Sequence, residues 1–141
     1  MNTSFLGPVV ALVAWSMVMW IWMYATRIPA IFAMKMRLDS NAPRGEQMAT
    51  LPPKVRWKAD NYNHLMEQPT IFYAIALALA VMGNASKVNF AMAWAYVGIR
   101  VVHSLVQALI NKIEMRFTLF FLSNIPLFVL TYGAAAQLLG W

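Results

Sequence analysis

Hydrophobic positions in this chain gather into four long stretches, Phe5 to about Thr26, about Leu65 to Met82, Val88 to about Ile110, and Phe117 to Trp141. Each is close to the roughly 20 apolar residues that a helix needs to cross a hydrocarbon core about 30 Å thick. Pro8 falls in the first turn of the first stretch, where its missing N–H is harmless. The pattern predicts an all-α integral membrane fold, a four-transmembrane-helix bundle filling residues 1–141 as one domain. A single long polar segment, residues 27–64, separates the first two spans.

Composition agrees with this pattern. Hydrophobic residues make up 61% and charged residues 11% of the chain, whereas a soluble domain carries roughly a quarter charged residues. Cysteine is absent, which excludes disulfides, thiolate metal sites and a cysteine nucleophile. Met1 to Ser4 contain no Lys or Arg, and no small-residue cleavage site follows the first apolar run, so that run reads as a retained span rather than a signal peptide.

The net charge of +6 is unevenly distributed. Lys35, Arg37, Arg44, Lys54, Arg56 and Lys58 fall between the first and second spans, Lys87 alone between the second and third, and Lys112 and Arg116 between the third and fourth. By the positive-inside rule the first and third loops are cytoplasmic and both termini lie on the opposite side. The positive charge is therefore a topology signal, and no nucleic-acid partner is expected. The same arrangement suits a bacterial inner membrane or the endoplasmic reticulum, and the bacterial membrane is the one expected.

Ionisable groups inside a span are expensive and mark sites by default. In the third span Tyr96, Arg100, His103, Gln107, Asn111 and Glu114 recur at steps of three and four, one stripe of a helix. This stripe must face protein or a wet cavity, with Arg100 paired to Glu67 or to carbonyls as the simplest structural outcome. A helix opened by Pro52-Pro53 would carry Arg56, Asp60, Asn63, His64 and Glu67 on one face leading into the second span. The acceptors Asp60, Asn61, Asn63 and Glu67 beside Arg56 and Lys58 suit a zwitterion with an amine and carboxylates. In the fourth span Asn124 and Arg116 lie toward the end where these clusters meet.

Other chemistries lack their residues. Two histidines without cysteine make a poor transition-metal site, and there is neither a Gly-rich phosphate loop nor a Gly-x-Ser-x-Gly elbow. A small multidrug exporter would need an acidic residue in its first span. A transporter with Arg100 and His103 as an anion or proton relay is a further reading, which predicts His103-dependent flux in liposomes.

Two motifs resemble a known family. Arg100-Val101-Val102-His103-Ser104, followed by Gln107 and, sixteen residues after Arg100, by Arg116, is similar to the third-to-fourth-helix region of prostaglandin-synthesising members of the MAPEG family. These are the membrane-associated proteins in eicosanoid and glutathione metabolism, in which an Arg-x-x-His-Thr element precedes a catalytic Arg at that distance. The run from Arg56-Trp57-Lys58-Ala59-Asp60-Asn61 to Glu67-Gln68-Pro69 looks like the family's glutathione-holding stretch, with differences in spacing. Asn63 precedes Glu67 by four residues and Asn61 by six, where the pattern has three. Gln107 stands where eicosanoid-forming relatives have Tyr, and Phe117 where the prostaglandin enzymes have Ser.

The resemblance implies a homotrimer and a glutathione-dependent transferase or peroxidase acting on lipophilic electrophiles from the bilayer. It implies Arg116 as the catalytic cation beside the thiolate. Arg56, Lys58 and Arg100 would meet the carboxylates of glutathione, Glu67 its amine, and Asn61, Asn63, His103 and Gln107 would add hydrogen bonds. The altered spacing and the Gln at 107 equally suit a non-catalytic accessory subunit that keeps the fold.

Overall fold

The computed structural model describes residues 1–141 and is entirely helical. Four of its helical stretches are long and apolar enough to cross a membrane, Thr3–Ala33, Pro53–Val81, Lys87–Leu109 and Ile113–Leu139. The chain is therefore an integral, multi-pass membrane protein.

A 3₁₀ turn at Thr3–Phe5, capped by the Asn2 side chain accepting from the Ser4 N–H at 3.0 Å, leads into α1, Leu6–Ala33. The expected end near Thr26 is overrun by seven residues, because Pro29 removes one donor without stopping the helix. The chain then turns at Lys35, which has φ of 50°, and the non-helical segment before α2 (Pro53–Leu65) is shorter than the expected loop 27–64. Gln47 ties that segment together. Its Nε2 donates to Arg37 O at 2.6 Å and its Oε1 accepts from Asp39 N at 3.0 Å.

Proline also divides the second crossing. Pro69 has no N–H for a carbonyl one turn back, so the helix breaks at Met66–Gln68 and restarts as α3, Pro69–Val81. α4, Lys87–Leu109, is capped by the Ser86 hydroxyl accepting from the Asn89 N–H at 3.3 Å. It ends before Asn111, whose φ of 55° turns the chain into α5, Ile113–Leu139. Asn111 and Glu114 thus lie beyond the helix on which the sequence pattern placed them, and the polar stripe stops at Gln107. Gly140, with φ of 76°, closes α5 in the left-handed conformation for which glycine carries no Cβ penalty.

α4 is the most enclosed helix, packed by α1, α2 and α5. The core holds Phe5, Leu12, Met19, Phe72, Leu79, Tyr96 and Leu130, with the Phe72 and Tyr96 rings stacked 4.5 Å apart. The outward faces of α1 and α5 present Ile21, Phe32, Phe121 and Phe128, the apolar exterior that lipid covers.

At the end holding the α3–α4 turn, neutral amides close the bundle. Asn2 Nδ2 donates to Asn84 O at 2.6 Å, Asn84 Nδ2 to Gln137 Oε1 at 2.6 Å, and Gln137 Nε2 to Met82 O at 2.8 Å. Asn84 Oδ1 also accepts from Asn89 Nδ2 at 3.2 Å. Asn89 is packed so closely on Gly133 that a Cβ there would lie 2.3 Å from Asn89 Nδ2.

Candidate functional site

The opposite end, where α2 meets the last turns of α4 and the start of α5, is built from charged groups. Arg100 is fully buried. Its Nη2 lies 2.8 Å from His64 Nδ1. A guanidinium can only donate, so Nδ1 is the acceptor and the His64 ring proton sits on Nε2. The His64 ring stacks on His103 with centroids 5.0 Å apart and meets the edge of Phe120 at 5.6 Å. Neither Glu67 nor a carbonyl takes the role expected at Arg100, because its Nε and Nη1 have no partner.

Three more of the predicted residues join this cluster. His103 and Gln107 are buried on the same face of α4, with His103 Nδ1 and Gln107 Oε1 unpartnered. Asn61 comes across from α2 and donates to Ser104 Oγ at 2.6 Å. Lys58, one turn earlier, spends its ammonium inside the protein: Nζ donates to Lys54 O at 2.9 Å and to Ala108 O at 3.5 Å, and lies 5.2 Å from the centre of the Trp22 ring.

Arg116 occupies the first turn of α5, one turn before Phe120. It is half-buried, and Nη1 donates to Asn111 Oδ1 at 2.8 Å while Nε has no partner. The left-handed Asn111 therefore ties this guanidinium to the α4–α5 turn, one helical turn before the Phe120 ring that meets His64. A groove of about 370 Å³ opens at the same α4–α5 junction, lined by Val102, Val106, Met115 and Leu119 with Glu114 and Thr118.

Arg56, Asp60, Asn63 and Glu67 lie on the other side of α2. Arg56 is half-buried and the other three are exposed, with Glu67 at the break before α3. His64, expected on that face, is turned inward instead. It follows Asn61 by three residues, and this spacing could have assigned it to the buried side. A cleft of about 400 Å³ on the outer side includes Arg27, Arg44, Arg56, Asp60 and Asn63 in its lining.

The sequence pattern also missed Gln68. Its Oε1 accepts from Tyr96 OH at 3.1 Å and its Nε2 donates to Asn124 Oδ1 at 2.6 Å, linking the helix break to α4 and α5. No local signal announces this residue, because its role depends on two helices distant in sequence.

Each buried polar atom without a partner costs about 1–3 kcal/mol, and this cluster holds such atoms on Arg100, His103 and Gln107. Unpaired donors and an acceptor on one face of α4 are suited to a polar, anionic guest. Neither the comparison with curated proteins nor that with solved structures gave a match. The MAPEG family model matches residues 5–136, nearly the whole chain, including both helices that build the cluster and the α4–α5 turn carrying Arg116, and the chain belongs to the MAPEG family.

Proposed function

We propose that this protein is a membrane-bound, glutathione-dependent transferase or peroxidase acting on lipophilic electrophiles. The observation that carries the proposal is that Arg116, with an unpartnered Nε at the start of α5, lies one helical turn before the Phe120 that packs on His64, beside buried Arg100, His103 and Gln107, which also retain unpaired polar atoms. Glutathione supplies two carboxylates, an amine and amide groups, which match such donors and acceptors. In this reading Arg100 and Lys58, on the inner side of α2, and Arg56, on its outer side, meet the carboxylates. Glu67 takes the amine, and Asn61, Asn63, His103 and Gln107 contribute hydrogen bonds. The assembly is a homotrimer with the basic loops on the cytoplasmic side.

The thiol is ordinarily protonated at neutral pH, since its pKa is about 8.5, and a guanidinium beside the sulfur favours the thiolate. Arg116 has that role. The thiolate sulfur then forms a bond to an electrophilic carbon, and the displaced group leaves with the electron pair. With a peroxide, two glutathione molecules are oxidised to the disulfide while the peroxide is reduced to an alcohol and water. The groove of Val102, Val106, Met115 and Leu119 gives an apolar substrate a path from the bilayer to the α4–α5 junction.

Calorimetry on detergent-purified protein tests the binding step. Glutathione should bind to the wild type, and Glu67→Gln should weaken it by about tenfold, as expected for one charge-assisted contact. No heat at millimolar glutathione would sink the proposal.

A second reading, an accessory subunit without catalysis, draws on the contacts already made within one chain: Arg100 to His64, Asn61 to Ser104 and Lys58 to backbone carbonyls. It predicts that Arg116→Ala and Glu67→Gln leave glutathione binding and turnover unchanged at background, while assembly with a partner depends on the apolar surface.

A further inference from the structure

Buried charges in proteins are ordinarily paired with an opposite charge. Arg100 is not. Its single hydrogen bond runs from Nη2 to His64 Nδ1 at 2.8 Å, while Nε and Nη1 have no partner and Glu67, three residues after His64, is exposed at the helix break. The acceptor is a neutral ring. A charged imidazolium has no lone pair to offer and would set a second cation beside the guanidinium.

Three helices fix that ring. His64 sits in the last turn of α2, three residues after Asn61, whose Nδ2 donates to Ser104 Oγ at 2.6 Å. Two successive inner positions of α2 thus meet two successive turns of α4. The His64 ring also stacks on His103 of α4 with an interplanar angle of 23° and meets the Phe120 ring of α5 at 78°. These contacts hold the ring in the orientation that aims Nδ1 at Arg100.

The kind of acceptor decides what Arg100 can do. A carboxylate in this place would fix the guanidinium equally well and cancel its charge, so a ligand carboxylate would meet a neutral pair and a second anion. A neutral nitrogen fixes the side chain and leaves its charge whole. We infer that His64 is a positioning residue, a neutral clamp that orients Arg100 and reserves its positive charge for a carboxylate of the bound ligand. The role rests on the glutathione reading and deepens it, with His64 acting through Arg100.

Two substitutions separate the clamp from mere packing. Asn and Asp both place Oδ1 where histidine has Nδ1, both remove the ring, and they differ from each other in charge. In calorimetry on the detergent-purified full chain, His64→Asn should bind glutathione about as the wild type does. His64→Asp should bind it about tenfold or more weakly, the effect of losing one charge-assisted contact. The melting temperature of His64→Asp should be no lower than that of His64→Asn, because the buried guanidinium then has a counter-charge. A purely structural role predicts the reverse, with binding following stability.

A measurement on the wild type needs neither variant to fold. The chain has two histidines, and nitrogen-15 spectra of selectively labelled rings report the tautomer of each. At neutral pH at least one ring must carry its proton on Nε2 alone, and the signals missing from His64→Asn identify it as His64. Two rings that are both charged, or both protonated on Nδ1, would overturn the inference. So would equal glutathione affinities of His64→Asn and His64→Asp beside a wild type that binds, with the glutathione reading left standing. No binding by the wild type would overturn that reading and the clamp's role together.

Discussion

The two ends of the bundle are both polar, but they are polar in different ways. At one end Asn2, Asn84, Asn89 and Gln137 are neutral, and a ladder of hydrogen bonds joins the residue capping the N-terminal 3₁₀ turn, the α3–α4 turn, α4 and α5. At the other, Arg100, His103, Gln107 and Arg116 hold unpartnered donors and acceptors in protected positions. Satisfied amides lower the energy of the native state and need nothing more. Unsatisfied charged groups raise it, and they persist where a guest completes them. The contrast separates a structural lock from a candidate site without reference to any relative.

Substitutions can break this comparison. The largest effect is expected at Arg116: Arg116→Ala should reduce turnover of a lipophilic electrophile by about a hundredfold or more, on the scale of losing an electrostatic stabiliser in a dry site. Glutathione should still bind, so the loss appears in kcat measured in detergent or proteoliposomes. Arg100→Met comes next and separates function from stability. Replacing an incompletely paired buried cation by a similar-sized apolar chain is often neutral or stabilising, so the melting temperature should hold or rise. Glutathione affinity should fall by about tenfold with the lost charge-assisted contact.

The neutral end should respond in the opposite sense. Asn84→Ala removes bonds to Gln137 and Asn89 and should destabilise the protein by about 2 kcal/mol, seen in thermal or denaturant unfolding, with glutathione binding unchanged. Gly133→Ala should also destabilise, because the new Cβ collides with the Asn89 amide. The smallest effect is expected at Glu114, exposed in the first turn of α5. Glu114→Gln should cost about 0.3–1 kcal/mol through the helix dipole and leave ligand binding alone. A binding loss there would return Glu114 to the polar stripe from which the helix end removes it.

The architecture was legible because lipid imposes long apolar runs, and the family because the Arg100–His103–Arg116 spacing spans a single turn between two helices. The stripe was legible as far as Gln107, since a period of three and four persists only while the helix does. Its end was not, because Asn111 leaves the helix through a left-handed residue that has no periodic signature. Pro69 was visible, but whether it breaks a helix or opens one depends on which side the chain continues. Sequence does not distinguish the two faces of α2, because Arg56, Asp60, Asn63 and His64 are all polar. Only the packing of α4 shows that His64 turns inward with Asn61 while the other three remain outside. The bond from Gln68 to Asn124 joins residues 56 apart, beyond any local pattern.

The central claim is that Arg116 holds the sulfur of bound glutathione as the thiolate, and the ultraviolet absorbance of that thiolate measures it directly. The account predicts a thiolate signal at neutral pH when glutathione saturates the wild-type protein, lost in Arg116→Ala while calorimetric binding remains. A thiolate signal of equal size in Arg116→Ala, or bound glutathione with no thiolate in the wild type, would contradict it.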